Sequence, residues 1–173
     1  DTVNPALWRQ AGFNAQHGLY EICDGFYQVR GFDTSCVTFI RGENGWVVID
    51  PLTTTETARA AYDLVAEHLG ERPVTAVVYT HSHVDHYGGV LGVVDLERVE
   101  SGEVPIVAPE GFLREAVAEN VVAGPAMSRR TTYQFGLLIP WNEHGHVDQG
   151  LGKGLPTGSS ALVPPTIEIT ETD

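Results

Sequence analysis

The sequence predicts an α/β fold in which an antiparallel meander of strands leads into β-α-β units. Apolar and polar residues alternate in strand fashion from Gly18 to Pro51, and after Thr53 apolar residues recur at helical spacing between short apolar runs. Of the 173 residues, 42% are hydrophobic and 19% are charged. This composition is typical of one globular domain with a hydrophobic core.

The predicted meander has four strand-like runs joined by short turns, at residues 18–23, 26–30, 36–40 and 46–49. Asp24-Gly25 supplies the positive φ that a tight hairpin turn requires. Cys23 and Cys36 lie in these runs without the spacing of a zinc knuckle or a redox motif. We therefore expect buried thiols, and a disulfide between them stays open.

The second part of the predicted fold consists of helices that alternate with buried strands. Thr53 and Glu56 fit a capping box, which predicts the start of a helix. The continuous apolar run from Val74 to Tyr79 predicts a strand that is buried on both faces. A further βα step is predicted from a strand at 106–108 and a helix from 110 to about 122.

The net charge of −13 excludes nucleic-acid binding, which depends on a basic surface that neutralises phosphates. The only adjacent basic residues are Arg129 and Arg130. No apolar run approaches the ~20 residues of a membrane span, and no secretory leader is recognisable. We expect neither a nucleic-acid partner nor a membrane span, and the composition assigns no compartment.

The segment that carries chemistry is Thr80-His-Ser-His-Val-Asp-His-Tyr-Gly-Gly89, directly after the predicted buried strand. Loops at the carboxyl ends of strands are where α/β proteins place their sites. His81 and His83 are spaced to bind one ion, and Asp85 with His86 can bind a second ion close by. Two ions about 3.5–4 Å apart acidify a shared water. Zinc binding explains this cluster better than packing does.

This loop resembles the signature loop of the metallo-β-lactamase superfamily, in the pattern His81-x-His83-x-Asp85-His86. Asp50, at the end of a strand-like run, matches the aspartate that the superfamily usually places beside the loop. The resemblance implies an αββα sandwich, of which this chain holds only the first part. Histidine at position 83, where the di-iron flavoproteins of this fold tend to have glutamate, favours zinc over redox iron.

Four longer stretches narrow the resemblance to the linear alkyl sulfatases, which hydrolyse detergents such as dodecyl sulfate. The stretches are 4–10, 25–31, 80–89 and 120–130. The resemblance implies hydrolysis of alkyl sulfate esters by two Zn²⁺ ions, with Asp85 as a catalytic residue. It implies four of the metal ligands, namely His81, His83, Asp85 and His86. It assigns no substrate-binding residue.

Family members are several times longer than this chain, and their further zinc ligands and dimerisation segment come later in the sequence. We expect residues 1–140 to form the N-terminal portion of the catalytic domain and residues 141–173 to form an irregular Gly/Pro-rich arm that leads to a missing part. The resemblance implies a homodimer or association with the remaining part of the enzyme. An isolated chain is expected to be inactive.

Two other interpretations of function stay open. A different hydrolase of the same fold, such as a thioesterase, a lactonase or a β-lactamase, would use the same loop. Alternatively, the chain is an inactive fragment that serves only as a scaffold or interaction module.

Several side chains outside the loop also have two interpretations. His144 and His146 form a second His-x-His pattern, which we expect to lie in a glycine-rich surface loop and not to bind metal. Arg129 and Arg130 could hold a sulfate or could fix a loop through salt bridges. Tyr87 could face the cavity or the core.

Overall fold

The computed structural model describes residues 2–171. Its seven strands are β1 (Gly18–Cys23), β2 (Phe26–Arg30), β3 (Val37–Arg41), β4 (Trp46–Ile49), β5 (Val74–Val78), β6 (Ile106–Pro109) and β7 (Ile167–Ile169). They form one sheet whose order follows the chain. Strands β1 to β4 pair antiparallel, and β4 to β7 pair parallel. The predicted meander followed by β-α-β units is confirmed.

The α-helices are α1 (Pro5–Asn14), α2 (Thr55–Leu69), α3 (Leu96–Glu100), α4 (Phe112–Val117) and α5 (Gly124–Gln134). The predicted helix from 110 to about 122 has two geometries, because α4 continues into a π-helical segment at Ala118–Val122. The sequence did not predict α1, α3 or α5. Since α1 and α5 bury no residue, no apolar stripe marks them. No helix within residues 2–171 is long and apolar enough to span a bilayer.

The start of α2 differs from the prediction by one residue. Thr54 is the N-cap residue, and its Oγ1 accepts a hydrogen bond from the first turn of the helix. The capping role predicted for Thr53 is wrong, because the Thr53 hydroxyl donates to Asp33 instead. Glu56 likewise accepts from the backbone N–H of Ser159, 2.9 Å away. The capping-box pattern therefore located the helix but not its cap.

Aromatic side chains pack at the centre of the antiparallel part of the sheet. Trp46 and Phe39 are fully buried and meet edge to face, with ring centroids 6.1 Å apart. Tyr27 packs on the same indole at 5.8 Å. The inner face of α2 belongs to the same hydrophobic cluster through Ala58, Ala61 and Val65. Trp46 and Val48 anchor β4 in this core, and β4 leads into the candidate site.

Both cysteines contradict the prediction of buried thiols. Cys23 and Cys36 are exposed and free of any disulfide. Cys23 ends β1, which is the first strand of the sheet and is exposed over its last three residues. Because the last three residues of this outer strand are exposed, the side chain of Cys23 lies in solvent.

The segment after residue 140 is irregular up to Thr166, apart from one isolated bridge between Trp141 and His146. It then joins the sheet through β7, which the sequence analysis did not predict. The hydroxyl of Thr166 accepts a hydrogen bond from the backbone N–H of Ile106 at 2.9 Å and fixes the entry into this strand. The domain division at residue 140 stays a prediction.

Gly89 lies where two backbone segments approach too closely for a side chain. A Cβ at this position would lie 2.2 Å from the carbonyl oxygen of Pro51 and 2.5 Å from that of Thr54. The backbone N–H of Gly89 also donates to Leu52 at 2.9 Å. The segment that follows β4 therefore packs directly against the segment that follows β5.

We expect Gly89→Ala to lower the free energy of unfolding by about 1–3 kcal/mol, because backbone carbonyls cannot move aside as a side chain could. Urea denaturation measures this change. Gly12→Ala in α1 is the matched control, since a Cβ there meets nothing within 4 Å. The control is expected to be neutral or slightly stabilising. Equal stability of Gly89→Ala and the unsubstituted chain would contradict the close packing.

Candidate metal centre

The histidine loop, which we define as Thr80–Gly89, lies at the carboxyl edge of the parallel part of the sheet. Strands β4 and β5 are parallel neighbours, with Ile49 paired to Val78. The residues that follow these two strands therefore meet at one edge, as expected for an α/β site. Within the loop, Val84–His86 forms a 3₁₀ turn.

Asp50, directly after β4, holds the loop through its carboxylate. Oδ1 accepts from the backbone N–H of Thr80 at 2.8 Å, and Oδ2 accepts from the Thr80 hydroxyl at 2.7 Å. Oδ2 also lies 2.8 Å from Nδ1 of His86. Since a carboxylate only accepts, Nδ1 of His86 carries the proton and Nε2 is the nitrogen available to a metal.

The backbone of this turn is strained. Asp50 has φ 55° and Leu52 has φ 64°, both in the left-handed region that favours glycine. Each residue in this conformation lowers the stability of the fold by about 1–3 kcal/mol. The value for aspartate lies towards the low end, because its side chain tolerates this region. The strain persists because both residues are buried and hydrogen-bonded.

The four predicted ligands lie together as two pairs of donor atoms. Nε2 of His81 lies 2.9 Å from Nδ1 of His83. Oδ2 of Asp85 lies 3.2 Å from Nε2 of His86. The rings of His81 and His86 bring the two pairs side by side, with centroids 4.0 Å apart.

The surroundings shift the pKa values of this cluster. Burial lowers the pKa of His86, but the hydrogen bonds to Asp50 and Asp85 outweigh burial and raise it to about 9. Burial raises the pKa of Asp85, but the hydrogen bond and charge of His86 lower it more, so the net shift is downward. The pKa of His81 is lowered by burial and by the neighbouring His86 and His83. Neutral His81 is ready for a metal, whereas metal binding at His86 displaces a proton.

These side chains fit a metal centre that residues 2–171 supply only in part. Across those residues, no three His, Cys, Asp or Glu side chains are arranged to hold a single ion. Zinc takes about four ligands, so each donor pair is about half of a set. The donor chemistry, two imidazoles in one pair and an imidazole with a carboxylate in the other, suits zinc. The structure thus places two pairs of donor atoms side by side, and we call each pair a candidate half-site.

Two residues that contact the loop were missed by the sequence analysis. Oε1 of Glu119, in the π-helical segment, lies 3.6 Å from Nε2 of His83. The hydroxyl of Ser35 donates to the backbone carbonyl of Asp85. No sequence pattern marked either residue, since one lies in a predicted helix and the other precedes a predicted strand. Segments of π-helix are frequent at functional sites, but only the structure reveals this one.

The second His-x-His pattern lies apart from the histidine loop. His146 is buried and its Nε2 lies 2.6 Å from the carbonyl oxygen of Phe135, so the expectation of a surface position is wrong for this residue. Packing against the ring of Trp141, with centroids 4.1 Å apart, accounts for its burial. His144 is exposed, as expected. Among the described residues, no hydrogen bond or ion pair joins these histidines to the loop.

Tyr87, Arg129 and Arg130, which each had two interpretations in the sequence, differ in their surroundings. Tyr87 belongs to the core: it is buried against Tyr79 and Phe112 and accepts a hydrogen bond from Asn120 at 3.2 Å. Arg129 and Arg130 are exposed, and the described part of the chain forms no salt bridge with them. A loop-fixing role for these arginines is therefore unsupported, and a sulfate-binding role stays a prediction.

The chain belongs to the metallo-β-lactamase superfamily, whose family model matches residues 30–171. Membership implies metal binding. It also confirms the fold family that the histidine loop suggested in the sequence.

Within the superfamily, the chain is similar to alkyl sulfatases. An alkyl/aryl-sulfatase of Saccharomyces cerevisiae and a linear primary-alkylsulfatase of Pseudomonas sp. are each 53% identical over 99% of the chain. A solved structure of a stereoselective inverting sec-alkylsulfatase from Pseudomonas sp. superposes with a TM-score of 0.93 at 48% identity, covering 98% of the chain and 27% of that protein. The chain spans only 26% of the length of the two curated relatives. The resemblance to this family is confirmed.

We expect the 173-residue chain to retain well below about two zinc ions after equilibration with zinc and gel filtration, because each half-site offers only two donors. Metal analysis of the eluted protein measures the content. The double variant His81→Ala, His83→Ala serves as the control and is expected to lose the share held by its half-site. Two tightly held zinc ions with ligands from this chain alone would contradict the half-site geometry.

Proposed function

We propose that the chain is the metal-binding part of an alkyl sulfatase that hydrolyses alkyl sulfate esters, such as dodecyl sulfate, to an alcohol and sulfate. The observation that carries the proposal is the pair of half-sites formed by His81, His83, Asp85 and His86 at the carboxyl edge of the sheet. The 49–53% identity to alkylsulfatases over nearly the whole chain supports the same substrate class.

The proposed cofactor is a pair of zinc ions, one for each half-site. When bound, they supply Lewis-acid chemistry, which neutralises sulfate oxygens and makes water acidic enough to react near neutral pH. His81 and His83 would hold one ion, and Asp85 with His86 the other. Asp50 would keep the ring of His86 oriented through its hydrogen bond to Nδ1.

Asp85 has a second proposed role besides metal binding. Its carboxylate is partly exposed, at 26%, so it can also accept a hydrogen bond from an attacking water. In the overall reaction, water adds its oxygen to the ester, the bond between the alkyl oxygen and sulfur or carbon breaks, and the products are an alcohol and hydrogen sulfate. If the S–O bond breaks, the alcohol leaves as an alkoxide and takes a proton from a general acid; if the C–O bond breaks, sulfate leaves and the attacking water gives up its proton to a base.

Charge supports a metal-dependent mechanism for an anionic substrate. The chain carries a net charge of −13, which repels a sulfate ester. A local positive centre reverses the field where the ester binds. The exposed position of His83, at 59%, leaves that edge of the cluster accessible to a small molecule.

The proposed partner is the remaining part of a longer catalytic protein, which would complete both half-sites. This is supported by the 26% coverage of the curated relatives. It is also supported by large apolar side chains that lie exposed between residues 121 and 141: Val121, Val122, Tyr133, Leu138 and Trp141. A homodimer of the longer protein stays a prediction.

A protein that joins this chain to the downstream region carried by its relatives is expected to release sulfate from dodecyl sulfate. It is expected to leave a thioester and a β-lactam intact, because those substrates lack the sulfate group that the proposal requires. Parallel assays with the three substrates measure the preference. Faster turnover of the thioester or the lactam would assign the site to another hydrolase of this fold.

In the same longer protein, we expect His83→Ala to lower the rate of sulfate release at least about 100-fold, since even the partners of metal ligands typically contribute 10–100-fold. The matched control is His144→Ala, an exposed histidine with no contact to the histidine loop. The control is expected to keep the full rate. Normal turnover by the His83 variant would refute its assignment as a ligand.

A further inference from the structure

We infer that Asp33 is a positioning residue for the histidine loop, acting through the strained turn that presents Asp50 to His86. Asp33 lies in the connection between β2 and β3, outside the elements that supply the metal donors. The effect of Asp33 on catalysis rests on the proposed function, whereas the hydrogen bonds of Asp33 are observed independently of that function.

The carboxylate of Asp33 is buried, with 5% of the residue exposed, and it is filled by four hydrogen bonds. Oδ1 accepts from the N–H of Thr34 at 2.6 Å and from the hydroxyl of Thr53 at 2.6 Å. Oδ2 accepts from the N–H of Thr53 at 3.0 Å and from the hydroxyl of Thr57 at 2.7 Å. No salt bridge of the described residues includes Asp33. Hydrogen bonds alone therefore compensate the burial of this charge.

Three of these four bonds hold the segment directly after the strained turn. Thr53 follows Leu52, whose φ of 64° is unfavourable for a leucine. A residue in this conformation persists only where neighbouring contacts fix the backbone on both sides. On one side, the N–H of Asp50 donates to Val78 at 2.9 Å. On the other side, the N–H and the hydroxyl of Thr53 both donate hydrogen bonds to the carboxylate of Asp33.

The backbone of the strained turn is in direct contact with the backbone of the histidine loop, so a displacement of the turn displaces the loop. A Cβ on Gly88 would lie 2.2 Å from the carbonyl oxygen of Thr53, so the backbone gripped by Asp33 touches the backbone of the histidine loop. Two residues from Asp33, the Ser35 hydroxyl donates to the carbonyl of Asp85. The β2–β3 connection thus contacts the loop and the turn together. Weakening the contacts of the β2–β3 connection is expected to shift Asp50 relative to His86.

Asp33→Asn tests the inference with almost no change in shape. In either orientation of the new amide, its NH₂ group faces a backbone N–H, from Thr34 or from Thr53, and these donors cannot reverse. The probe is the Nδ1–H proton of His86 in the chain labelled with ¹⁵N-histidine, without added metal. We expect this proton to be protected from exchange with solvent in the unsubstituted chain. In the variant, we expect its exchange rate to rise by about tenfold or more.

Tyr62→Phe is the control for general loss of stability. It removes the hydrogen bond from Tyr62 to the carbonyl of Arg72 at 2.7 Å, beyond the opposite edge of the sheet. We expect the His86 signal to survive in this variant. If Asp33→Asn does not fold, Thr53→Val removes one of the four bonds and is expected to weaken protection in the same direction.

The outcomes separate a positioning role from a structural one. If the substituted chain is less stable but the His86 proton keeps its protection, Asp33 only stabilises the fold and the inference is overturned. The same holds if Tyr62→Phe and Asp33→Asn reduce protection equally. The measurement needs neither zinc nor turnover, so a failure of the sulfatase proposal leaves this result standing.

Discussion

The structure of the candidate site depends on one carboxylate that joins two parallel strands. Asp50 follows β4, yet both of its oxygens are engaged by residues that follow β5. Without that bridge, the histidine loop would lose its side-chain link to the end of β4, and the ring of His86 would keep only Asp85 as a partner. The strained backbone at Asp50 and Leu52 brings the carboxylate to this position, and the packed core behind β4 resists its relaxation.

The half-sites differ in how firmly their donors are held. His86 is fixed by two carboxylates, Asp50 and Asp85, and is only 21% exposed. His83 projects into solvent and has Glu119 at 3.6 Å as its nearest acidic partner. The buried half-site is therefore largely pre-organised by this chain, whereas the exposed one depends more on what completes it. Ordering the side chains of the buried half-site therefore costs less entropy, whereas a metal that binds there must also displace the proton of His86.

Sequence patterns predicted what is local and missed what depends on distant contacts. Strands β1 to β6 and helix α2 followed from sequence patterns, and the four predicted ligands lie within six residues, so their proximity was guaranteed. The exposed helices α1 and α5 carry no apolar stripe, and the short strand β7 lies in a glycine- and proline-rich segment. Asp33 and Glu119 reach the site only through tertiary contacts: Thr53 and Thr57 lie 20 and 24 residues from Asp33 along the chain, and His83 is likewise distant from Glu119 in the sequence. Nothing in their neighbours along the chain distinguishes them from ordinary surface carboxylates.

The π-helical segment after α4 has a consequence for how this region tolerates changes in length. A π-helical turn holds one residue more than an α-helical turn, so deleting one residue from the wide turn would restore regular α-helical geometry. Because Glu119 lies in this wide turn, closing the turn would change its position relative to His83. Insertions and deletions here are thus coupled to the site, although the segment itself is mostly exposed.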